Sequence, residues 1–97
     1  MAKGYWIAHL DILDPERYRR YVAANAAAFE KYGGRFLARA GRSESMLGTL
    51  KARHVIIEFP DYQAALDCYH SPEYRHAVAE RGESADLDLV VAEGVIG

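Results

Sequence analysis

One cysteine, three prolines and no long apolar run stand in a chain of 97 residues. A single thiol cannot close an internal disulfide, so an oxidising compartment is not indicated. No uninterrupted apolar stretch approaches the roughly 20 residues that cross a bilayer. The opening MAKGYWIAHLDILDPERY has one lysine, a short mixed run and early acids, and does not read as a signal peptide. Charge of one sign is missing too: 12 Lys and Arg against 14 Asp and Glu give a formal net charge of −2. That balance offers no footprint for nucleic acid and no basic face for an anionic membrane. A soluble cytoplasmic protein is the expectation.

What is present describes an ordinary globular chain, 51% apolar and 27% charged. Its length leaves room for one domain over residues 1–97, with one core and little area to spare. Residues 5–12 alternate as a strand rich in aromatic and β-branched side chains. Asp14-Pro15 then opens a helix, the aspartate as N-cap and the proline at a position whose N–H has no partner anyway. Tyr18, Tyr21, Val22, Asn25, Phe29 and Tyr32 make its inner stripe, and Gly33-Gly34 ends it. Residues 35–40 form a second strand, followed by the polar connection GRSESMLGTLKAR, which has the composition of a hairpin arm. Residues 54–59 form a third strand, Asp61 caps a second helix, and residues 86–95 form a fourth strand.

The stretch CYHSPEYRHA gathers the only cysteine, two histidines and a glutamate. Pro72 cannot donate to the carbonyl of Cys68 and would crowd it in a continuous helix, whereas Ser71 is a good N-cap and Pro72 a good first residue. The stretch therefore reads as helix, break, helix. A structural zinc site needs four ligands at short repeated spacings, and a cysteine nucleophile needs a base within reach. Neither pattern is met, so no metal or catalytic thiol is expected here. Gly33-Gly34 likewise lacks the spacing of a dinucleotide loop, and no cofactor motif is present.

The order is β-α-β-β-α-β, the ferredoxin-like arrangement: an α+β protein with an antiparallel four-stranded sheet and its helices on one face. Alternation divides each strand between two faces. Trp6, Ala8, Leu10 and Ile12, with Phe36, Ala38, Val55, Ile57, Phe59, Leu87, Leu89 and Val91, should meet the helices. The opposite face would carry Tyr5, Ile7, His9 and Asp11, then Arg35, Leu37 and Arg39, then His54, Ile56 and Glu58, then Asp88, Val90 and Ala92. Its apolar members would make an exposed patch on a monomer, which marks an interface. A two-fold homodimer, sheet facing sheet, would cover it. A half-solvated sheet with scattered apolar residues is the plainer alternative.

GYWIAHLDILDPERYRRYV, FEKYGGRFLARAG and VIIEFPDYQAALDCYHSPEYRHA resemble the bacterial domain-of-unknown-function family 1330 over nearly the whole chain. The resemblance implies a dimeric α+β barrel of two ferredoxin-like subunits, and it implies no activity. Leu50-Lys51 departs from the pattern, where related sequences tend to show an aromatic residue.

Two groups of side chains are candidates for chemistry. On the open face of the sheet, Tyr5, His9, Arg39, His54 and Glu58 could converge inside the dimer, with histidine and glutamate as base and acid and arginine holding a carboxylate. The competing reading is a polar network that registers two subunits. In the cleft between sheet and helices, Asn25 interrupts an apolar stripe, and Ala8 and Ala38 could leave a cavity near Trp6, Tyr69 and Tyr74. Aromatic-lined pockets with few polar groups suit small organic ligands. The competing reading is that Asn25 bonds to backbone and the tyrosines fill core space. The expectation is a homodimer that binds a small organic molecule and has no built-in cofactor. The alternatives are a cofactor-independent monooxygenase or isomerase acting on an aromatic or lactone-like substrate, and a structural dimer without ligand.

Overall fold

The computed structural model describes residues 2–96. Seven elements follow one another: β1 (Gly4–Ile12), α1 (Pro15–Tyr32), β2 (Arg35–Arg39), β3 (Arg53–Phe59), α2 (Tyr62–His70), α3 (Pro72–Arg81) and β4 (Ala85–Glu93). The four strands pair antiparallel in the order β2-β3-β1-β4, with three helices over one face. This is the ferredoxin-like α+β fold. Among the described residues no helix is long and apolar enough to cross a membrane.

Local chemistry sets most element boundaries. The Asp14 carboxylate accepts from the Arg17 N–H at 3.3 Å, with Pro15 at the first helical position. Gly33, at φ 74°, ends α1 in the left-handed conformation that glycine adopts at little cost. Asp61 caps α2 by accepting from the Ala64 N–H at 2.7 Å. Ser71 serves both helices that meet at it. Its Oγ donates to the Cys68 carbonyl at 2.7 Å and accepts from the Tyr74 N–H at 3.1 Å. The break expected at Ser71-Pro72 is therefore a designed joint between α2 and α3.

The strands differ from expectation in one consequential place. Phe36 pairs with Ile57, but Ala38 pairs with Ile56 and Arg39 with Val55, so Leu37 is an extra residue on β2. A bulge of this kind shifts the side-chain alternation by one position. Simple alternation put Ala38 toward the helices and Arg39 on the open face. The bulge exchanges them: Arg39 joins the helix-facing side, where its guanidinium lies over the Phe36 ring at 4.0 Å. The expected hairpin arm is also absent as such. Residues 41–52 form an exposed connection without strand pairing, tied at its end by Asp11, which accepts from the Ala52 N–H at 2.8 Å, and by Lys51, which pairs with Asp88.

The core sits between sheet and helices around Trp6, whose ring contacts Phe29, Phe59 and Tyr74 at centroid distances of 5.2, 5.5 and 4.8 Å. The indole N–H donates to the Ala65 carbonyl at 2.8 Å, tying β1 to α2. Ala28 on α1 and Ala77 on α3 are fully buried, small enough to let helix backbones come close. Among the helices, backbone approach is most extensive between α1 and α3, whereas α1 meets the sheet through large side chains such as Phe29, which packs on Trp6 and Phe36. That stand-off leaves a gap under α1.

Candidate functional site

The gap is a cleft of about 290 Å³ between α1 and the sheet. Trp6, Ala8 and Leu10 form its floor from β1, with Val55 and Ile57 from β3 and Leu87 and Leu89 from β4. Tyr18, Tyr21, Val22, Asn25 and Phe29 line it from α1, since residues three and four apart share one helix face. Arg39 and Ala40 at the end of β2 and Arg53 at the start of β3 complete the wall. Among the described residues no aspartate or glutamate lines it.

Asn25 is the buried polar group of this lining, 7% exposed. Among the described residues its amide has no hydrogen-bond partner, so the backbone bond that would have made it a purely structural residue is not formed. The sealed polar atoms without a partner are Glu73 Oε1 and Ser84 Oγ, not the Asn25 amide, which stays open to whatever fills the cleft. By contrast, the Trp6 N–H is already used by Ala65. Behind the lining, the Tyr21 and Tyr74 hydroxyls lie 2.7 Å apart, and Arg81 donates to the Tyr74 hydroxyl at 3.3 Å. Tyr74 is buried behind the wall and Tyr69 packs on Trp6 at 5.9 Å, so both support the cleft without lining it. Ala38, turned away by the bulge, takes no part in it either.

Electrostatically the cleft has an apolar interior and a cationic rim. Burial pushes the Tyr18 phenol up to about 12, Tyr21 adds to the rise, and Arg81, Arg53 and Arg39 pull the other way. Burial raises the Tyr74 phenol as well, helped by Tyr21. Neither hydroxyl is a base near neutral pH; each is a hydrogen-bond donor.

The open sheet face holds the remaining candidates in two separate groups. Tyr5 donates to Glu58 at 3.5 Å, and Glu58 is held by Arg35 at 3.0 Å. His9 and His54 face each other across β1 and β3, their Nδ1 atoms 2.7 Å apart. Ile7 and Ile56 pair between the two groups. His54 and Glu58 are four residues apart on one strand, roughly 13 Å at strand rise. The face thus separates the histidines from the glutamate, and Arg39 lies beyond the sheet. Within one chain Tyr5 stands with Glu58 and His9 with His54, while Arg39 is on the other face of the sheet.

Two cleft residues escaped the reading of the sequence. Arg53 lay one position before the expected start of the third strand, although alternation from Val55 places it on the helix-facing side. Tyr18 belongs to the inner stripe of α1, where spacing alone gives it no role beyond packing. In the cysteine cluster Cys68 is fully buried, and burial above all, with Glu73 nearby, pushes its thiol up to about 12. Among the described residues no group of three or more His, Cys, Asp or Glu is placed to hold a metal ion.

The chain belongs to the family described as Domain of unknown function (DUF1330), which matches residues 3–95. No curated protein matches it. Among solved structures it is similar to RPA0582, a protein of unknown function from Rhodopseudomonas palustris. There the TM-score is 0.76 at 19% identity, covering 99% of this chain and 85% of that one. It is also similar to SnoaB from Streptomyces nogalater, described as a cofactor-independent oxygenase, with TM-score 0.64 at 12% identity over 100% of this chain and 97% of that one. A conserved protein of unknown function from Bacteroides thetaiotaomicron, described as a possible oxidoreductase, matches with TM-score 0.56 at 14% identity over 95% and 97% of the two chains. At these identities the likeness is one of fold.

Proposed function

We propose that the protein binds a small organic molecule in the cleft beneath α1. The observation that carries this reading is Asn25: a polar residue 7% exposed, with no hydrogen bond to the described residues and an amide open to a cleft of about 290 Å³ walled by aromatic rings. Such a volume lies at the lower end of ligand clefts, about 300–1,000 Å³, and a few placed polar groups in an apolar wall give orientation and selectivity. The test is native mass spectrometry of protein purified without denaturant. Extra, reproducible mass per chain is expected, and Asn25→Leu should lose it while unfolding at an equal or higher temperature. A bare chain that also fails to take up small aromatic compounds would sink the proposal in favour of a ligand-free structural protein.

The assembly that goes with this reading is a homodimer joined through the open sheet face. Ile7, Ile56, Leu37 and Val90 lie on that face, the last two half or more exposed. A four-stranded face alone offers on the order of 500 Å² from strand spacing and rise, short of the roughly 800 Å² per partner of a stable complex. Met46 and Leu47, 83% and 88% exposed on the connection between β2 and β3, supply further apolar area for a second copy. A monomer at micromolar concentration by light scattering would contradict it.

A catalytic form of the same reading is a cofactor-independent oxygenase or isomerase acting on an aromatic or lactone-like molecule. The fold shared with SnoaB supports looking for it. Turnover of a compound that occupies the cleft, lost in Asn25→Leu, is the outcome that would favour it over binding alone.

A further inference from the structure

We infer that the cleft selects organic anions: a flat body of one or two rings lies against Trp6 and Phe29, and a carboxylate is held by Arg39 and Arg53. The inference rests on the reading of the cleft as a ligand site and adds the chemical class of what enters it. Three observations carry it.

The first is placement. Arg39 is paired with Val55, and Arg53 is the next residue on the same face of β3. Diagonal neighbours on adjacent strands are separated by about 7–8 Å at the backbone, within which two long guanidinium side chains can grip one carboxylate. The bulge at Leu37 is what creates this pair; without the extra residue, Arg39 would sit on the opposite side of the sheet.

The second is the state of the two cations. Lys31 is paired with Glu73, Arg35 with Glu58 and Lys51 with Asp88, but no carboxylate lies within ion-pair distance of Arg39 or Arg53 among the described residues. Arg39 is stacked on Phe36, a contact that orients the guanidinium plane and leaves its edge N–H groups free for bidentate bonding. Among the described residues the cleft lining holds no acid to compete.

The third is the division of the lining. Rings and aliphatic side chains form the interior, Asn25 offers one buried amide part-way along, and the guanidinium groups stand at the end where β2 finishes and β3 begins. Arg39, Arg53 and Arg81 all act on the Tyr18 hydroxyl in the sense that favours negative charge there. Both arginines are exposed, so a neutral molecule leaves them to water, a carboxylate adds an ion pair, and a cation is repelled.

The test uses three probes of one shape, 2-naphthoate, 2-naphthalenemethanol and 2-naphthylmethylammonium, titrated into the wild-type protein. Binding is read by the fluorescence of Trp6, the only tryptophan, and by calorimetry. 2-Naphthoate is expected to bind at least tenfold more tightly than the alcohol, with an affinity that falls as salt is raised, and the ammonium compound least. Arg39→Gln with Arg53→Gln should bring naphthoate down to the level at which the same variant binds the alcohol and abolish the salt dependence. Arg35→Gln, on the other face of the sheet, should change none of the affinities. Equal binding of naphthoate and the alcohol would overturn the anion preference and leave the cleft reading standing. Failure of all three at millimolar concentration would overturn both.

Discussion

His9 Nδ1 and His54 Nδ1 lie 2.7 Å apart across β1 and β3, on the side of the sheet away from the cleft. At that distance one ring nitrogen donates and the other must be an unprotonated acceptor, so the contact holds one proton between two rings. The sheet separates this pair from Asn25 and Trp6. Replacing either histidine by phenylalanine is therefore expected to leave cleft binding within about twofold of wild type, measured with the naphthalene probes. A tenfold loss in a variant that stays folded would place the histidines in the binding machinery.

The Trp6 indole ties β1 to α2 through the Ala65 carbonyl. Trp6→Phe keeps most of the apolar contact but removes that bond, worth about 1 kcal/mol. The melting temperature should fall by at least roughly 4–8 °C for a chain of this size. Calorimetry checks this, and an unchanged midpoint would mean the bond contributes nothing net.

Ala40 stands at φ 55°, a left-handed conformation that costs a residue with a Cβ roughly 1–2 kcal/mol. Glycine removes that cost but loses about 0.5–1 kcal/mol through the flexibility of the unfolded chain. The first effect is the larger, so Ala40→Gly should stabilise by up to about 1 kcal/mol in chemical denaturation. Destabilisation would show that the Ala40 methyl, which lines the cleft, contributes more by packing.

Cys68 and the Tyr18 and Tyr74 phenols are raised in the folded protein by burial. A group whose folded value lies above its unfolded value contributes stability that is complete below the unfolded value and is lost as pH rises toward the folded one. The unfolded values are about 8.5 for the thiol and about 10 for the phenols. Stability should thus decline from about pH 8.5, at about 1.4 kcal/mol per pH unit for each such group, and steepen above about pH 10. Cys68→Ala should flatten the first part of the decline and Tyr74→Phe the second, measured as unfolding midpoint against pH. In the native state Cys68 should also react with a thiol reagent only as fast as the protein opens.

Much of this protein is written locally. Asp14-Pro15, Gly33, Asp61 and Ser71-Pro72 each act within a few residues, and each starts or stops an element where local chemistry requires it. Alternation in residues 4–12 likewise assigns Trp6, Ala8 and Leu10 to the core, because a strand without irregularity has one period. The cleft was legible as a possibility through Asn25, a polar residue on an apolar stripe. What only the tertiary structure decided was the rest of its lining. The bulge at Leu37 depends on pairing with β3, and no property of residues 35–40 by themselves marks the extra residue. It moved Arg39 through the sheet, took it from His9, His54 and Glu58, and set it beside Arg53. The stand-off of α1 from the sheet depends on α1 packing against α3 some fifty residues later in sequence, and that too is settled only when the chain closes on itself.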